Sequence, residues 1–219
     1  MMINQMYLSA AKFLGYDINH AMIRLARIRN LTFEEKAKWR IQKRWDIVKH
    51  HFDKNTFYRS KLGERLPNNW DDLPILNKSD FQNSIENLLS EGFSKKNTYI
   101  SSTSGSSGAP FFFAKDKYCH SLSWANIINR YQKLGIRFRA LEARFYGIPL
   151  DEKQYKIEIL KDFFMNRVRF KIFDLSDPAM RDFVILLNKK RYVYIYGYTN
   201  SIVAFAKYII RNNICIKDV

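Results

Sequence analysis

The stretch "YISSTSGSSGAPFFFAKD" (residues 99–116) sets a run of small hydroxyl and glycine residues between two blocks of strand formers. The flanks "TYISS" and "PFFFA" read as short hydrophobic strands. The run between them has two readings. Gly and Ser are what flexible connections use, so it can be a mobile loop. Alternatively it is an anion cradle. Small consecutive residues let successive backbone N–H groups point into one concavity, and the hydroxyls of Thr103, Ser104, Ser106 and Ser107 add donors. Gly105 and Gly108 relieve the steric cost at the tightest bends. Placement favours the cradle: the loop joins two strands expected to pair, so its ends are held and its donors can be aimed. The Walker pattern is not met, because Ala109 and Pro110 follow Gly108, and no G-x-G-x-x-G occurs. Neither a P-loop NTPase nor a Rossmann dinucleotide site is supported.

Outward from the loop toward the C-terminus, strand and helix alternate. A helix is expected over 116–134, closed by Gly135, then strand "ARFYGI", a helix over 152–165 and strand "VRFKIF". A helix opened by Asp177 and Pro178 follows, with Met180, Phe183, Val184 and Leu187 inward, then strand "YVYIYGY" and a helix over 200–212. Parallel neighbours need crossover helices, so this order predicts an α/β fold with a largely parallel, incomplete sheet. "GYTNS" (197–201) follows a strand at the end where open α/β sheets place ligands, which makes Gly197 and Tyr198 candidate pocket residues. The chain stops at "NNICIKDV", directly after a helix and entering what reads as another strand, so it looks cut rather than finished.

Toward the N-terminus the pattern is helical. "TFEEKAKWRIQKRWDIVKHHF" opens with Thr32 and Glu35 at capping-box spacing. Phe33, Ala37, Ile41, Trp45, Val48 and Phe52 recur every three or four residues as one apolar stripe. "DLPILNKSDFQNSIENLL" gives a turn at Pro74, an N-cap at Asn77, and Phe81, Ile85, Leu88 and Leu89 on one helical face. The expected organisation is a helical lead-in over 1–97 followed by a partial α/β domain over 98–219.

Composition bounds the class. With 219 residues, 47% hydrophobic content, 8 Gly and 5 Pro, the chain suits a folded globular protein, not a disordered or repeat protein. A net charge of +16 raises nucleic acid, anionic lipid or a phosphorylated ligand as a partner, although a solvated basic surface is the favoured explanation, because net charge bears on association and solubility more than on a specific site. Trp39 and Trp45 in "KWRIQKRW" interleave bases with aromatics. At helical spacing, however, Trp45 belongs to the apolar stripe and the Lys and Arg to the wet face. Such a basic helix would also suit an anionic membrane surface. Cys119 and Cys215 are too few and too far apart for a disulfide framework or zinc site. A reduced compartment fits, and with no signal-like N-terminus or long apolar run the expected location is cytoplasmic. His20, His50, His51 and His120 read as surface or packing residues, with His50 and His51 on the exposed side of their helix, and no metal site is expected. Cys119 and His120 are not read as a catalytic dyad, because neighbours on a helix point about 100° apart.

"STSGSSGAP" (102–110) resembles the phosphate-binding motif of the adenylate-forming superfamily, the acyl-CoA ligases, luciferases and peptide-synthetase adenylation domains. The branch it is most similar to is the phenylacetate-CoA ligase and CapK-like family linked to capsular polysaccharide biosynthesis. "DDLPILNKSDFQ" before the loop, "WANIINRYQKLGIRFRALEARFYGIPL" after it and "YIYGYTNSIVAFAKYIIRNNI" near the end agree with that family in order and spacing. The resemblance implies a two-step AMP-forming reaction. A small carboxylate attacks the α-phosphate of ATP, with Mg2+ assisting, to give an acyl-adenylate and release pyrophosphate, and CoA or an acceptor on a glycan then displaces AMP. Carried over by position, Thr103, Ser104, Gly105, Ser106, Ser107 and Gly108 would hold the β- and γ-phosphates. Nucleic acid is not an expected partner on this reading; peripheral membrane association is.

The departures narrow this expectation. Many members carry Lys within or just after the loop, where this chain has Ala109 and Phe111, so Lys115 and Lys117 are the nearest substitutes. The later family motifs, an aromatic-Gly-x-Thr-Glu segment, a ribose-binding Asp and a lid with a catalytic Lys, have no matching residues. No catalytic residue is therefore assigned. The resemblance implies the N-terminal portion of a ligase, inactive alone. The competing reading is a non-catalytic basic module that binds nucleic acid or an anionic membrane surface.

Overall fold

The computed structural model describes residues 2–103, 110–147 and 152–216. All described elements before Thr98 are helical: α1 (Met2–Phe13), α2 (Ile18–Asn30), α3 (Phe33–Lys54), α4 (Thr56–Leu62), two 3-10 turns (Trp70–Asp72 and Lys78–Phe81) and α5 (Ile85–Leu88). Then come β1 (Thr98–Ser102), β2 (Phe112–Asp116), α6 (Lys117–Lys133), β3 (Glu142–Phe145) and α7 (Glu152–Phe164). The order closes with β4 (Arg167–Phe170), α8 (Asp177–Asn188), β5 (Tyr194–Gly197) and α9 (Thr199–Arg211). The chain is mixed α/β.

It divides into two compact units, one from Leu8 to Ile127 and the other formed by the residues up to Tyr7 together with those from Ile128 onward. The second holds a parallel sheet in the order β4-β3-β5, with Phe145 opposite both Phe170 and Gly197. The pleat sends alternate residues to opposite faces. Ala143, Phe145, Val168, Phe170 and Ile195 join Met180, Phe183 and Leu187 of α8 and Phe205 and Tyr208 of α9 in one core. The Phe145 and Phe170 rings stack at 4.6 Å, and Phe183 meets Phe145 edge-on at 5.7 Å. Val184, expected inward, packs partly buried against this core.

The opposite face is polar and also largely buried. Glu142, 1% exposed, accepts from Arg144 at 2.6 Å and from the Tyr194 hydroxyl at 2.6 Å, with Arg167 at 3.3 Å. Burial and the bond to Glu142 push the Tyr194 phenol well above its ordinary pKa. Arg169 spans Asp162 and Glu158 of α7. A buried carboxylate is tolerated here because every oxygen meets a donor.

In the unit from Leu8 to Ile127, β1 and β2 pair antiparallel as a separate hairpin, with Thr98 opposite Asp116 and Ser102 opposite Phe112. The helices obey local chemistry. Thr32 and Glu35 form the expected reciprocal capping box on α3. α6 ends in a Schellman motif: Gly135 takes φ +74, its N–H bonds Gln132 O, and Ile136 N–H bonds Tyr131 O. Two expectations differ from the outcome. The α3 stripe is buried only toward its C-terminal end; Val48 is buried while Phe33 and Ile41 stay exposed, because α4 packs on the later turns and Trp70 on Trp45. The single helix face of Phe81, Ile85, Leu88 and Leu89 is instead a 3-10 turn followed by one turn of α-helix.

Candidate functional site

The candidate phosphate loop leaves the hairpin at a paired position. Thr103 N–H donates to Phe111 O at 2.9 Å, and Phe111 N–H donates to Thr103 Oγ1 at 3.0 Å. Both chain ends of the loop are thus tied together, as expected of an aimed loop. A hydroxyl that accepts one bond keeps its own O–H to donate, so Thr103 can still serve a phosphate oxygen. Ser104, Gly105, Ser106, Ser107 and Gly108 lie outside the described residues, and so does Ala109.

Of the two substitute cations, Lys117 is committed elsewhere in the same unit. Its Nζ donates to Leu14 O at 2.9 Å and sits 5.7 Å from the Tyr16 ring centroid. Lys115 lies four residues along from Phe111, about 13 Å at roughly 3.3 Å per strand residue. Its Nζ is 5.5 Å from the Phe113 ring centroid, and it lines a cavity.

That cavity encloses about 450 Å³, within the range of small-molecule sites. Its walls come from α3 (Ile47, His50, His51), α4 (Phe57, Tyr58), the 3-10 turn at Phe81, α5, the turn holding Ser90 and Phe93, and β2. Its polar floor is internally satisfied. Asn55, 4% exposed, takes Tyr58 N–H on Oδ1 at 2.8 Å and gives Nδ2–H to Leu88 O at 2.9 Å. His51 Nδ1 and Ser90 Oγ lie 3.1 Å apart. Burial, and secondarily His50, hold the His51 pKa below its ordinary value, so the ring is neutral at pH 7. The surface reading is thereby corrected for His51, which is half-buried against Tyr58; His50 is exposed, as expected, and borders the cavity. Sequence periodicity does not reveal this, because the contacting residues come from segments far apart in the chain.

Cys119 and His120 do other work. Burial pushes the Cys119 thiol up, which disfavours a thiolate nucleophile. His120 accepts from Trp124 Nε1–H at 3.1 Å and stacks on Tyr99 at 3.9 Å. Among the described residues, no group of His, Cys, Asp and Glu is placed to hold a metal ion. Two of the basic and aromatic residues of α3 are engaged in packing: Trp45 meets Trp70 edge-on at 5.7 Å, and Arg44 lies over Trp70.

Gly197 and Tyr198 fall in the other unit. A Cβ on Gly197 would lie 2.2 Å from Phe145 O, so this glycine is needed for β5 to approach β3. Tyr198 donates its N–H to Phe145 O at 3.1 Å and stacks on Tyr146 at 4.3 Å. Arg144 lies over Tyr146 and Tyr196 at 4.6 and 5.3 Å, so the C-terminal ends of β3 and β5 carry an aromatic and guanidinium cluster. The Thr103 loop base and the Tyr198 cluster are placed in different units, each described by itself.

Among the described residues no helix is long and apolar enough to cross a membrane. No protein-family model and no curated protein matches the chain. A solved structure does: 2-hydroxyisobutyryl-CoA ligase in an open conformation, in complex with 2-HIB-AMP and CoA. It aligns with a TM-score of 0.51 and 14% identity, over 84% of this chain and 45% of that one. The chain thus spans less than half the length of the ligase it matches, and what the two share is the fold.

Proposed function

We propose that the chain is the N-terminal portion of an AMP-forming ligase that activates a small carboxylate with ATP, of the phenylacetate-CoA ligase and CapK-like type acting in capsular or cell-surface polysaccharide assembly. One observation carries the reading: the fold of a CoA ligase runs through 84% of the chain, and the Thr103–Gly108 motif sits on a strand hairpin whose ends are tied at Thr103 and Phe111. On this reading the loop grips the β- and γ-phosphates of ATP with backbone N–H groups and hydroxyls. Bound ATP supplies the phosphoanhydride that is cleaved, and Mg2+ would share the phosphate charge. The acyl group then passes to CoA or to an acceptor on a glycan. Tyr198 and Gly197 border the substrate end of the sheet, and the basic surface suits work beside an anionic membrane in the cytoplasm. The helical lead-in over 1–97 and the partial ATP-binding domain over 98–219 are the corresponding organisation. The first 219 residues alone would not complete adenylation.

The test is ATP-dependent pyrophosphate release by the intact ligase presented with a panel of carboxylates. On this reading Gly105→Val is expected to abolish release, because a branched side chain in a run of small residues would hinder the approach of backbone donors to a phosphate, and Ser104→Ala, which deletes a hydroxyl donor, to reduce it. Release unchanged in both variants would sink the reading.

A further inference from the structure

The first half of the α3 apolar stripe is exposed, and we propose that it forms, with the outer side of α2, an interfacial surface that docks the protein on an anionic phospholipid bilayer. The proposal gives a surface to the membrane placement proposed above and rests on that placement alone, not on the phosphate loop.

The apolar component is a row, not a scatter. Phe33 is 83% and Ile41 58% exposed, with Ala37 exposed between them. At about 100° per residue the three fall within about 80° of one another along two turns of helix. α2 repeats the arrangement: Ile18 and Ala21 are buried, while Ile23, 54% exposed, stands one turn from the exposed Arg27 and next to Arg24. Single exposed apolar side chains are ordinary, whereas a row of them on a basic helix is the pattern of a helix that lies in a lipid interface.

The charge is concentrated on the same stretch. Residues 18–44 hold eight Lys and Arg against two Glu, whereas the rest of residues 1–97 holds nine basic and nine acidic groups. The whole net excess of the helical region therefore falls on α2 and the first half of α3. Around α3, Lys36 lies about 60° to one side of the Phe33 line and Lys38 about 60° beyond Ile41, so bases flank the stripe on both sides. Both acids sit in the first turn. Glu35 lies on the far side and accepts from the Thr32 N–H at 2.7 Å, and Glu34 alone borders the stripe. Arg24, Arg27, Lys38 and Arg40 are exposed and, among the described residues, have no ion-pair partner. Their long stems let the charged heads reach lipid phosphates while Phe33, Ile41 and Ile23 enter the acyl boundary. A nucleic acid would use the same bases but gives Ile23 and Ile41 nothing to bury in.

The test follows flotation of the chain with vesicles of phosphatidylcholine, alone and with one third phosphatidylglycerol. Binding to the anionic vesicles is expected to be at least tenfold tighter than to the neutral ones, and to fall at least tenfold between about 0.1 M and about 1 M NaCl as the Debye length shrinks from about 10 Å to about 3 Å. Phe33→Ser with Ile41→Ser should weaken it at least fivefold, and so should Lys38→Gln with Arg40→Gln, both with an unchanged thermal melt because these side chains are exposed. If a double variant loses its melt, Phe33→Trp decides: brominated acyl chains should quench its emission beyond the wild-type level. Equal binding to the two kinds of vesicle, unchanged binding in either folded double variant, or no added quenching in Phe33→Trp would overturn the proposal. So would binding of duplex RNA that Lys38→Gln with Arg40→Gln removes while the vesicles stay unbound. Vesicle binding and pyrophosphate release are separate readouts, so either reading can fail alone.

Discussion

The two compact units spend their aromatic residues in opposite ways. In the unit built on the parallel sheet, Phe145, Phe170, Phe183 and Phe205 close on one another and are buried to 6% exposure or less. In the helix and hairpin unit, Phe57, Phe81, Phe93 and Phe113 stand around an open volume, and the buried apolar residues are few and mostly small: Ile18, Ala21, Val48 and Ala125. The same residue type therefore fixes a sheet in one place and lines a cavity in the other. The difference lies in what the pleat and the crossover helices bring together. In one unit a three-stranded sheet packs its rings against α8 and α9; in the other, α3, α4 and the short helical turns set their rings around a cavity beside the two-stranded hairpin.

The largest expected effect tests the closed core. Phe145→Ala removes the ring that touches Phe170, Phe183 and Phe205, and should cost about 3–5 kcal/mol in urea unfolding. A loss below about 1 kcal/mol would show that the sheet core is not the stabilising centre. Next comes the cavity wall. Asn55→Ala deletes the cap on α4 and the bond to Leu88 O, and should cost about 2 kcal/mol. An effect as large as that of Phe145→Ala would erase the contrast between the units.

The smallest effect is a pH dependence of the helix and hairpin unit. The folded-state pKa values of His51 and His120 are lowered, chiefly by burial. A base whose folded pKa is depressed binds fewer protons folded than unfolded. Stability is then complete above the unfolded value, about 6.5, and falls as pH drops below it. Thermal melts between pH 7 and pH 5 should show this decline, and His51→Phe should flatten part of it. A decline of the same size in the variant would remove His51 from the account.

How much of this was legible in the sequence depends on the range of the contacts. The α3 capping box, the Gly135 stop of α6, the Pro178 start of α8 and the β1–β2 pairing were readable, because each is set by residues a few positions apart. The parallel sheet followed from the alternation of strand and helix, although the hairpin stands apart from it as a sheet of its own. The α3 stripe was over-read: periodicity states which face is apolar, not how far along its length a neighbour reaches, and Phe33 and Ile41 remain exposed. The cavity was not legible, since His51, Tyr58, Phe81, Ser90 and Phe113 converge from separate segments with no shared spacing. The candidate phosphate loop was the reverse case, a visible sequence pattern of which only Thr103 is placed by the described residues.

The most direct test of the central claim, that the Thr103–Gly108 loop holds the phosphates of ATP, is a titration of the chain with Mg2+ and ATP beside the Gly105→Val variant. The account predicts saturable ATP binding that Gly105→Val weakens at least tenfold. Equal binding by both proteins, or binding by neither, would contradict it.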